Sequence, residues 1–255
     1  MKIAIVGYGH VGKAMKELFQ HAIIYDEPLG IGNRNDVNKC DVAFVCVPTP
    51  EGTQGKCDTS IVERVIEWIE SEVIVLRSTV SVGFTSLMRE KYKKRIVFQP
   101  EYYGETVGHP FAEIKNQGWL SFGGENQDIN IVIEAYKTVI NSNVRINIAD
   151  SNTVELAKYM ENAYLATKVV FCNEIYDLAK KLGIDYNVVR EIWLSDPRIG
   201  YSHTFVYPDN RGYGGHCLPK DMNALISIGE EVNADMTFLK GVKSKNEMWK
   251  GNQNE

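Results

Sequence analysis

Residues 2–15 read KIAIVGYGHVGKAM. A short apolar run ends at Val6, glycines follow at Gly7, Gly9 and Gly12, and a helical pattern takes over within the same few residues. Each glycine has a separate physical task. Gly7 permits the tight turn out of a strand, Gly9 lets a pyrophosphate approach the backbone, and Gly12 lets helix and strand pack closely. His10 and Val11 open the helix between the last two glycines and belong to the same binding set. Asp26 closes the next apolar run, nineteen residues after Gly7. A carboxylate there accepts hydrogen bonds from ribose hydroxyls and repels an extra phosphate. The loop therefore predicts an NAD site.

The sequence around that loop repeats its grammar. Strand-like runs lie at 2–6, 22–25, 41–47, 73–78, 95–98, 119–122 and 144–148, with helical patterns at 11–20, 59–70, 81–91 and 127–140. Several runs are continuously apolar and β-branched, as parallel strands buried on both faces require. The alternation predicts an α/β fold, a doubly wound (Rossmann-type) parallel sheet over residues 1–150.

Beyond Asp150 the pattern changes. Residues 152–182 contain neither Gly nor Pro, and Ala157, Met160, Tyr164, Thr167, Phe171, Ile175, Leu178 and Leu182 follow in steps of three and four. One helix of about 45 Å is expected, capped at Asn152 with Glu155 and stopped at Gly183. Such a helix joins domains or packs on a second copy, so a homodimer through 152–182 is expected. Residues 184–255 read as helical with one long loop, 195–219, giving an all-helical domain over 151–255 built on the one long helix.

Composition narrows the function classes. With 255 residues, 24% of them charged and a net charge of −5, the chain gives no reason to expect nucleic acid or a membrane surface as partner. No apolar run reaches the roughly 18 residues of a membrane span, and the glycine-rich start does not read as a secretion signal. Five cysteines without a C-x-x-C pair support neither a disulfide framework nor a metal site, and suggest a reducing, cytoplasmic setting.

One cysteine stands apart. Residues 211–226 read RGYGGHCLPKDMNALI. Pro219 suits the first turn of a helix, which places Cys217 just before its N-terminus, where the dipole favours a thiolate. Lys220 adds positive charge, and Gly214 and Gly215 leave the sulfur open to a substrate. Cys46 and Cys172, inside apolar runs, read as inert buried thiols. Beside a hydride acceptor, Cys217 suggests oxidation through a thioester. Lys158 and Asn162, four apart, share a helix face about 100–140° from the apolar stripe, where an ammonium and an amide can stabilise an oxyanion.

The segment GYGGHCLPKD resembles the catalytic-cysteine signature of the UDP-glucose/GDP-mannose dehydrogenase family, and VGYGHVG, VCVPTP (45–50), RSTVSVGF (77–84), QPEYYGE (99–105), ELAKYMENAYLATK (155–168) and DPRIG (196–200) follow that family's order. The resemblance implies oxidation of a nucleotide sugar at its C6 alcohol to the carboxylate, with two NAD per turnover and no metal, in polysaccharide biosynthesis. It implies Cys217 as nucleophile, Lys158 and Asn162 at the oxyanion, Thr79 and Asp221 as holders of water, and Glu105 as an aid to thioester hydrolysis. Asp221 has a second reading, as a cap of the helix after Cys217. Val47, Pro48, Thr49, Ser78 and Thr79 would complete the cofactor site. Glu101, Tyr102, Tyr103, Tyr213, Gly214 and Gly215 would line the substrate site, and Arg198 would reach the substrate of a partner copy.

Three departures accompany the likeness. Only residues 27–40 separate Asp26 from the next strand, a short span for the family, and Gly104 stands where a basic residue is common. The sequence also ends where a further nucleotide-gripping domain would begin. Two other readings remain: a β-hydroxyacid dehydrogenase, which needs Lys158 and Asn162 but no cysteine, and a non-catalytic NAD-binding subunit of a larger enzyme.

Overall fold

The computed structural model describes residues 1–102 and 117–251. Along the chain run β1 (Ile3–Val6), α1 (His10–Leu18), β2 (Ile23–Tyr25), α2 (Arg34–Val37), β3 (Val42–Val45), α3 (Ser60–Trp68), β4 (Val73–Leu76), α4 (Phe84–Tyr92) and β5 (Ile96–Phe98). Then come β6 (Trp119–Gly123), α5 (Asn126–Tyr136) and β7 (Arg145–Ala149), followed by helices α6 (Ser151–Lys181), α7 (Tyr186–Leu194), α8 (Cys217–Glu231) and α9 (Thr237–Gly251). The chain forms two compact units, Met1–Thr53 with Cys57–Lys158, and Gln54–Lys56 with Tyr159–Glu255.

In the first unit the described strands form one sheet in the order β2-β1-β3-β4-β5-β6-β7. Neighbours are parallel except β5 and β6, which pair antiparallel at Phe98 and Gly123. Because successive side chains of a strand point to opposite faces, the two cores can be read residue by residue. Ala4, Val6, Ala43, Val45, Ile74 and Leu76 pack with Val62, Ile66, Phe84 and Met88 of α3 and α4. Ile5, Val42, Phe44, Val73 and Val75 pack with Met15, Leu18, Ile129 and Val132 of α1 and α5. Each fully buried aliphatic side chain contributes about 1.5–3 kcal/mol. Helices therefore cover both faces, which is the doubly wound arrangement, and all seven expected strands are present within one or two residues of their expected ends.

Glu155 departs from its expected role. Asp150 caps α6 instead of Asn152, accepting from the Thr153 amide at 3.0 Å and from the Thr153 hydroxyl at 2.6 Å. The fully buried Glu155 carboxylate accepts from the amides of Gly83 (2.6 Å) and Thr85 (3.0 Å), at the start of α4. It therefore satisfies the amide groups that α4 leaves open, and burial raises its pKa.

In the second unit α6 stops as expected. Gly183 has φ +69°, the Ile184 amide returns to the Ala179 carbonyl at 2.9 Å, and the Gly183 amide to Lys180 at 3.2 Å. Ala163, Ala166 and Val170 pack with Tyr213, Met222, Ile226 and Val242. The apolar stripe read from the sequence points the other way: Met160 (69% exposed), Tyr164, Phe171 (51%), Leu178 and Leu182 (62%) face solvent in the single chain. The loop before α8 ends at His216, three residues sooner than expected.

Candidate functional site

The cofactor candidates gather at one edge of the sheet. Gly7 follows β1, Asp26 follows β2, Val47, Pro48 and Thr49 follow β3, and Ser78 and Thr79 follow β4. These strands are parallel, so all lie at their carboxyl ends, where ligands of such sheets bind. The chain leaves β1 towards β2 on one side and continues through β3 on the other, so the glycine loop stands at the reversal of strand order.

Local geometry separates the three glycines. Gly7 has φ +93°, and a Cβ there would meet the Cys46 carbonyl oxygen at 2.7 Å. A Cβ at Gly12 would meet the Gly7 carbonyl oxygen at 2.0 Å. Around Gly9 there is nothing within 4 Å, and it caps α1 without a side-chain hydrogen bond. Two glycines are thus compelled by packing, while the middle one borders open space at the helix end that carries His10 and Val11. That combination fits a pyrophosphate cradle.

The Asp26 carboxylate accepts from the Tyr8 amide at 2.7 Å and the Leu29 amide at 3.0 Å. Two oxygens offer about four acceptor positions, so ribose hydroxyls can still be received. The short 27–40 segment closes tightly behind it, with Asp26 bridged to Ile31. Across the edge the Ser78 hydroxyl donates to the Val47 carbonyl at 2.6 Å, and the Cys57 thiol donates to the Thr79 carbonyl at 3.3 Å. These bonds tie together the turns after β3 and β4. A groove of about 880 Å³ lies elsewhere, at the amino ends of β1 and β2, and contains none of the candidate residues.

Glu101 and Tyr102 follow β5, again at the carboxyl edge, and both are half-buried. The Lys158 ammonium lies 4.8 Å from the centre of the Tyr102 ring. Lys158 is only 5% exposed, so a solvated surface lysine is not its situation. Tyr103, Gly104 and Glu105 lie outside the described residues.

In the second unit Asn162, 7% exposed, donates to the Asp221 Oδ2 at 2.5 Å, and the Lys220 ammonium donates to Asp221 Oδ1 at 2.7 Å. Asp221 is 1% exposed and sits inside α8, so it does not cap that helix. Its carboxylate instead joins α6 to α8 and aligns the Asn162 amide. Lys220, expected as a charge beside the cysteine, is paired with this carboxylate.

Cys217 is the first residue of α8 instead of the one before it. All five cysteines fall among the described residues; Cys217 is exposed and the other four are buried. Burial pushes the Cys46 thiol up to about 12 and raises Cys172 as well. Before Cys217, Gly214 and Gly215 are exposed; Gly215 has φ +75° and open space around its α-carbon. The Tyr213 ring is 5% exposed within the helical core, and burial pushes its hydroxyl up to about 12. Arg198 is exposed and pairs with Asp196.

Sequence reasoning missed what holds this segment. Asn246 on α9 accepts from the Tyr213 amide at 2.7 Å and donates to the Tyr213 carbonyl at 3.1 Å. Arg211 donates to the Asn173 side chain at 2.6 Å and to its carbonyl at 2.8 Å. The available signal was an amide one turn after Val242, on the apolar side of a helix.

The NAD binding domain model of the UDP-glucose/GDP-mannose dehydrogenase family matches residues 24–140, and that family's central domain model matches 152–248. The chain belongs to this family. Its first unit carries the family's NAD binding domain, and its cofactor is NAD. A Pseudomonas aeruginosa UDP-glucose 6-dehydrogenase is 31% identical over 223 residues, covering 81% of this chain and 48% of that enzyme. The chain thus spans about half the length of such relatives. Among solved structures, a UDP-glucose dehydrogenase from Pyrobaculum islandicum shares the fold with a TM-score of 0.83 at 24% identity, over 97% of this chain and 68% of that one. A Mycobacterium tuberculosis 3-hydroxyisobutyrate dehydrogenase also shares it, with a TM-score of 0.71 at 15% identity, over 95% of this chain and 91% of that one. Among the described residues no helix is long and apolar enough to cross a membrane.

Proposed function

We propose that the protein oxidises the C6 alcohol of a nucleotide sugar, UDP-glucose or a similar one, to the carboxylate through a covalent adduct on Cys217. The observation that carries this reading is the exposed Cys217 thiol at the start of α8, approached over two glycines, in a chain with an NAD binding domain. NAD supplies the hydride acceptor for both oxidation stages.

The chain's own groups supply the rest. Once the alcohol has become an aldehyde, the Cys217 sulfur forms a bond to its carbon and the carbonyl oxygen takes a proton, giving a thiohemiacetal. Loss of a second hydride and of that hydroxyl proton leaves a thioester. Water then breaks the carbon–sulfur bond, returning the thiol and releasing the carboxylate with a proton. Covalent capture keeps the reactive aldehyde from escaping between stages. Lys158 and Asn162 stabilise the oxyanion, an amide aligned by Asp221 serving that purpose well. Thr79 and Asp221 hold water, Glu105 assists hydrolysis, and Thr49 and Thr79 line the nicotinamide side. Residues 1–150 act as the NAD-binding domain and 151–255 as the helical domain that carries the nucleophile.

A soluble, cytoplasmic homodimer is the form we assign. Besides the outward stripe of α6, from Met160 to Leu182, Ile184 in the turn after it and Val188 and Ile192 on α7 are exposed. The same stripe on a second copy matches it in length and chemistry, as a twofold interface requires. Arg198 then serves the substrate of the partner copy. Phe171→Glu is expected to halve the mass measured by light scattering, whereas an unchanged mass would place the interface elsewhere.

The decisive assay is NADH yield per nucleotide sugar at limiting substrate. Two NADH per sugar are expected. One would favour a β-hydroxyacid-type alcohol oxidation, which Lys158 and Asn162 could serve without the cysteine. None with any sugar, despite NAD binding, would favour a non-catalytic subunit.

A further inference from the structure

Lys168 on α6 is not used by the chemistry above, yet it occupies a costly position. It is 7% exposed, and burying an ammonium is unfavourable unless it is matched by good acceptors. Its Nζ donates to two successive carbonyls, Ile199 at 3.0 Å and Gly200 at 2.6 Å. Gly200 has φ +67°, and a Cβ there would come within 3.9 Å of the Lys168 Nζ. Burial lowers the Lys168 pKa, and Arg190 adds repulsion in the same direction. The residue immediately before this clamp is Arg198.

We propose that Lys168 is a positioning residue that fixes the Ile199–Gly200 backbone and thereby directs Arg198 toward the diphosphate of a nucleotide sugar. This inference rests on the proposed function. The upstream side of Arg198 is held by Asp196, whose Oδ1 accepts from the Arg198 amide at 3.0 Å and from its Nε at 2.9 Å. The Ile199 amide returns to the Asp196 carbonyl at 3.1 Å. Arg198 therefore stands on a turn closed at its start by Asp196 and at its end by Lys168. A guanidinium suits the target because its fork matches two oxygens of a phosphate, and preorganising the backbone lowers the entropy lost on binding.

The segment beyond Gly200 has its own anchors. Thr204 is fully buried; its hydroxyl accepts from Arg190 Nε at 2.8 Å, and its carbonyl accepts from the Tyr186 hydroxyl at 2.8 Å. The Arg190 guanidinium also lies 3.7 Å from the Phe205 ring centre and 4.5 Å from that of Tyr201. Removing Lys168 should therefore release the turn at Arg198 while residues 201–205 stay docked, which separates a local effect from general unfolding.

The test is calorimetric binding of UDP-glucose and of GDP-mannose to the full chain at saturating NADH, which cannot accept a hydride and so prevents turnover, for wild type, Lys168→Met, Lys168→Arg, Arg198→Ala and the Lys168→Met/Arg198→Ala double variant. Lys168→Met should weaken sugar-nucleotide binding about tenfold or more, the scale of one hydrogen bond to a charged group. NAD affinity should stay at the wild-type value, and Lys168→Arg should restore binding. The double variant should bind no more weakly than Arg198→Ala alone, because both changes remove one interaction. Wild-type binding by Lys168→Met, an additive double variant, or an equal loss of NAD affinity would each overturn the positioning role alone. If the wild type binds NAD but neither nucleotide sugar, the proposed function fails first and this inference with it.

Discussion

Cys217→Ser is expected to leave NAD affinity and melting temperature at wild-type values while cutting acid formation by roughly a thousandfold or more, the scale seen when a covalent nucleophile is removed. The stability half of this expectation follows from exposure: changes at exposed positions away from caps and networks usually fall within about 0.5 kcal/mol. Cys217 is exposed, and the N-cap residue of α8, His216, makes no side-chain capping hydrogen bond. The catalytic half follows from chemistry. A serine hydroxyl has the shape of the thiol but is a far weaker nucleophile without a dedicated base, so the thiohemiacetal does not accumulate and the second oxidation stops. A slow first stage remains, visible as at most one NADH per sugar and as free aldehyde trapped by hydroxylamine. Cys46→Ser is the matching control: it buries a hydroxyl among the apolar side chains of the sheet core, lowers stability, and leaves the two-to-one yield intact. If Cys217→Ser kept both the rate and two NADH per sugar, the thioester route would be wrong.

The sheet was legible because its signals are redundant. Runs such as VAFVCV (42–47) and VIVL (73–76) are apolar at every position, and parallel strands covered on both faces demand that. The glycine loop was legible for a similar reason, since a strand, three glycines and Asp26 each constrain the same small volume. The long helix shows where such reading ends. Periodicity located its length to within a residue and found an apolar stripe, but it cannot say what covers that stripe. The side packed inside the single chain carries Lys158, Asn162, Lys168 and Asn173, all nearly buried, and these polar groups hide that face from a hydropathy pattern. Partners far apart in sequence were equally out of reach. Glu155 bonds to Gly83, Asn162 to Asp221, and Asn246 to Tyr213. Glu155 read locally as part of a helix cap, and nothing near Asn162 or Asn246 in the sequence points to a partner more than thirty residues away.

The glycine loop gives the sharpest separation of folding from binding. Gly12→Ala is expected to lower stability by about 3 kcal/mol, roughly 10 °C in melting temperature for a chain of this size. Its Cβ would stand 2.0 Å from the Gly7 carbonyl oxygen, and a backbone atom inside the β1–α1 turn cannot move aside as a flexible side chain would. Gly7→Ala should do similar harm, because φ +93° is unfavourable for any residue with a Cβ and the Cys46 carbonyl blocks the space. Gly9→Ala is expected to behave in the opposite way. Its φ of −76° is ordinary and nothing lies within 4 Å, so melting without cofactor should not change. NAD affinity should nonetheless fall about tenfold or more, because the added methyl enters the space a pyrophosphate needs next to the α1 N-terminus. The two measurements, melting without NAD and titration with NAD, must therefore rank the variants in opposite orders. Should Gly9→Ala bind NAD as tightly as the wild type, the open space at Gly9 would not be the cradle, and the cofactor would have to lie differently across the carboxyl edge of the sheet.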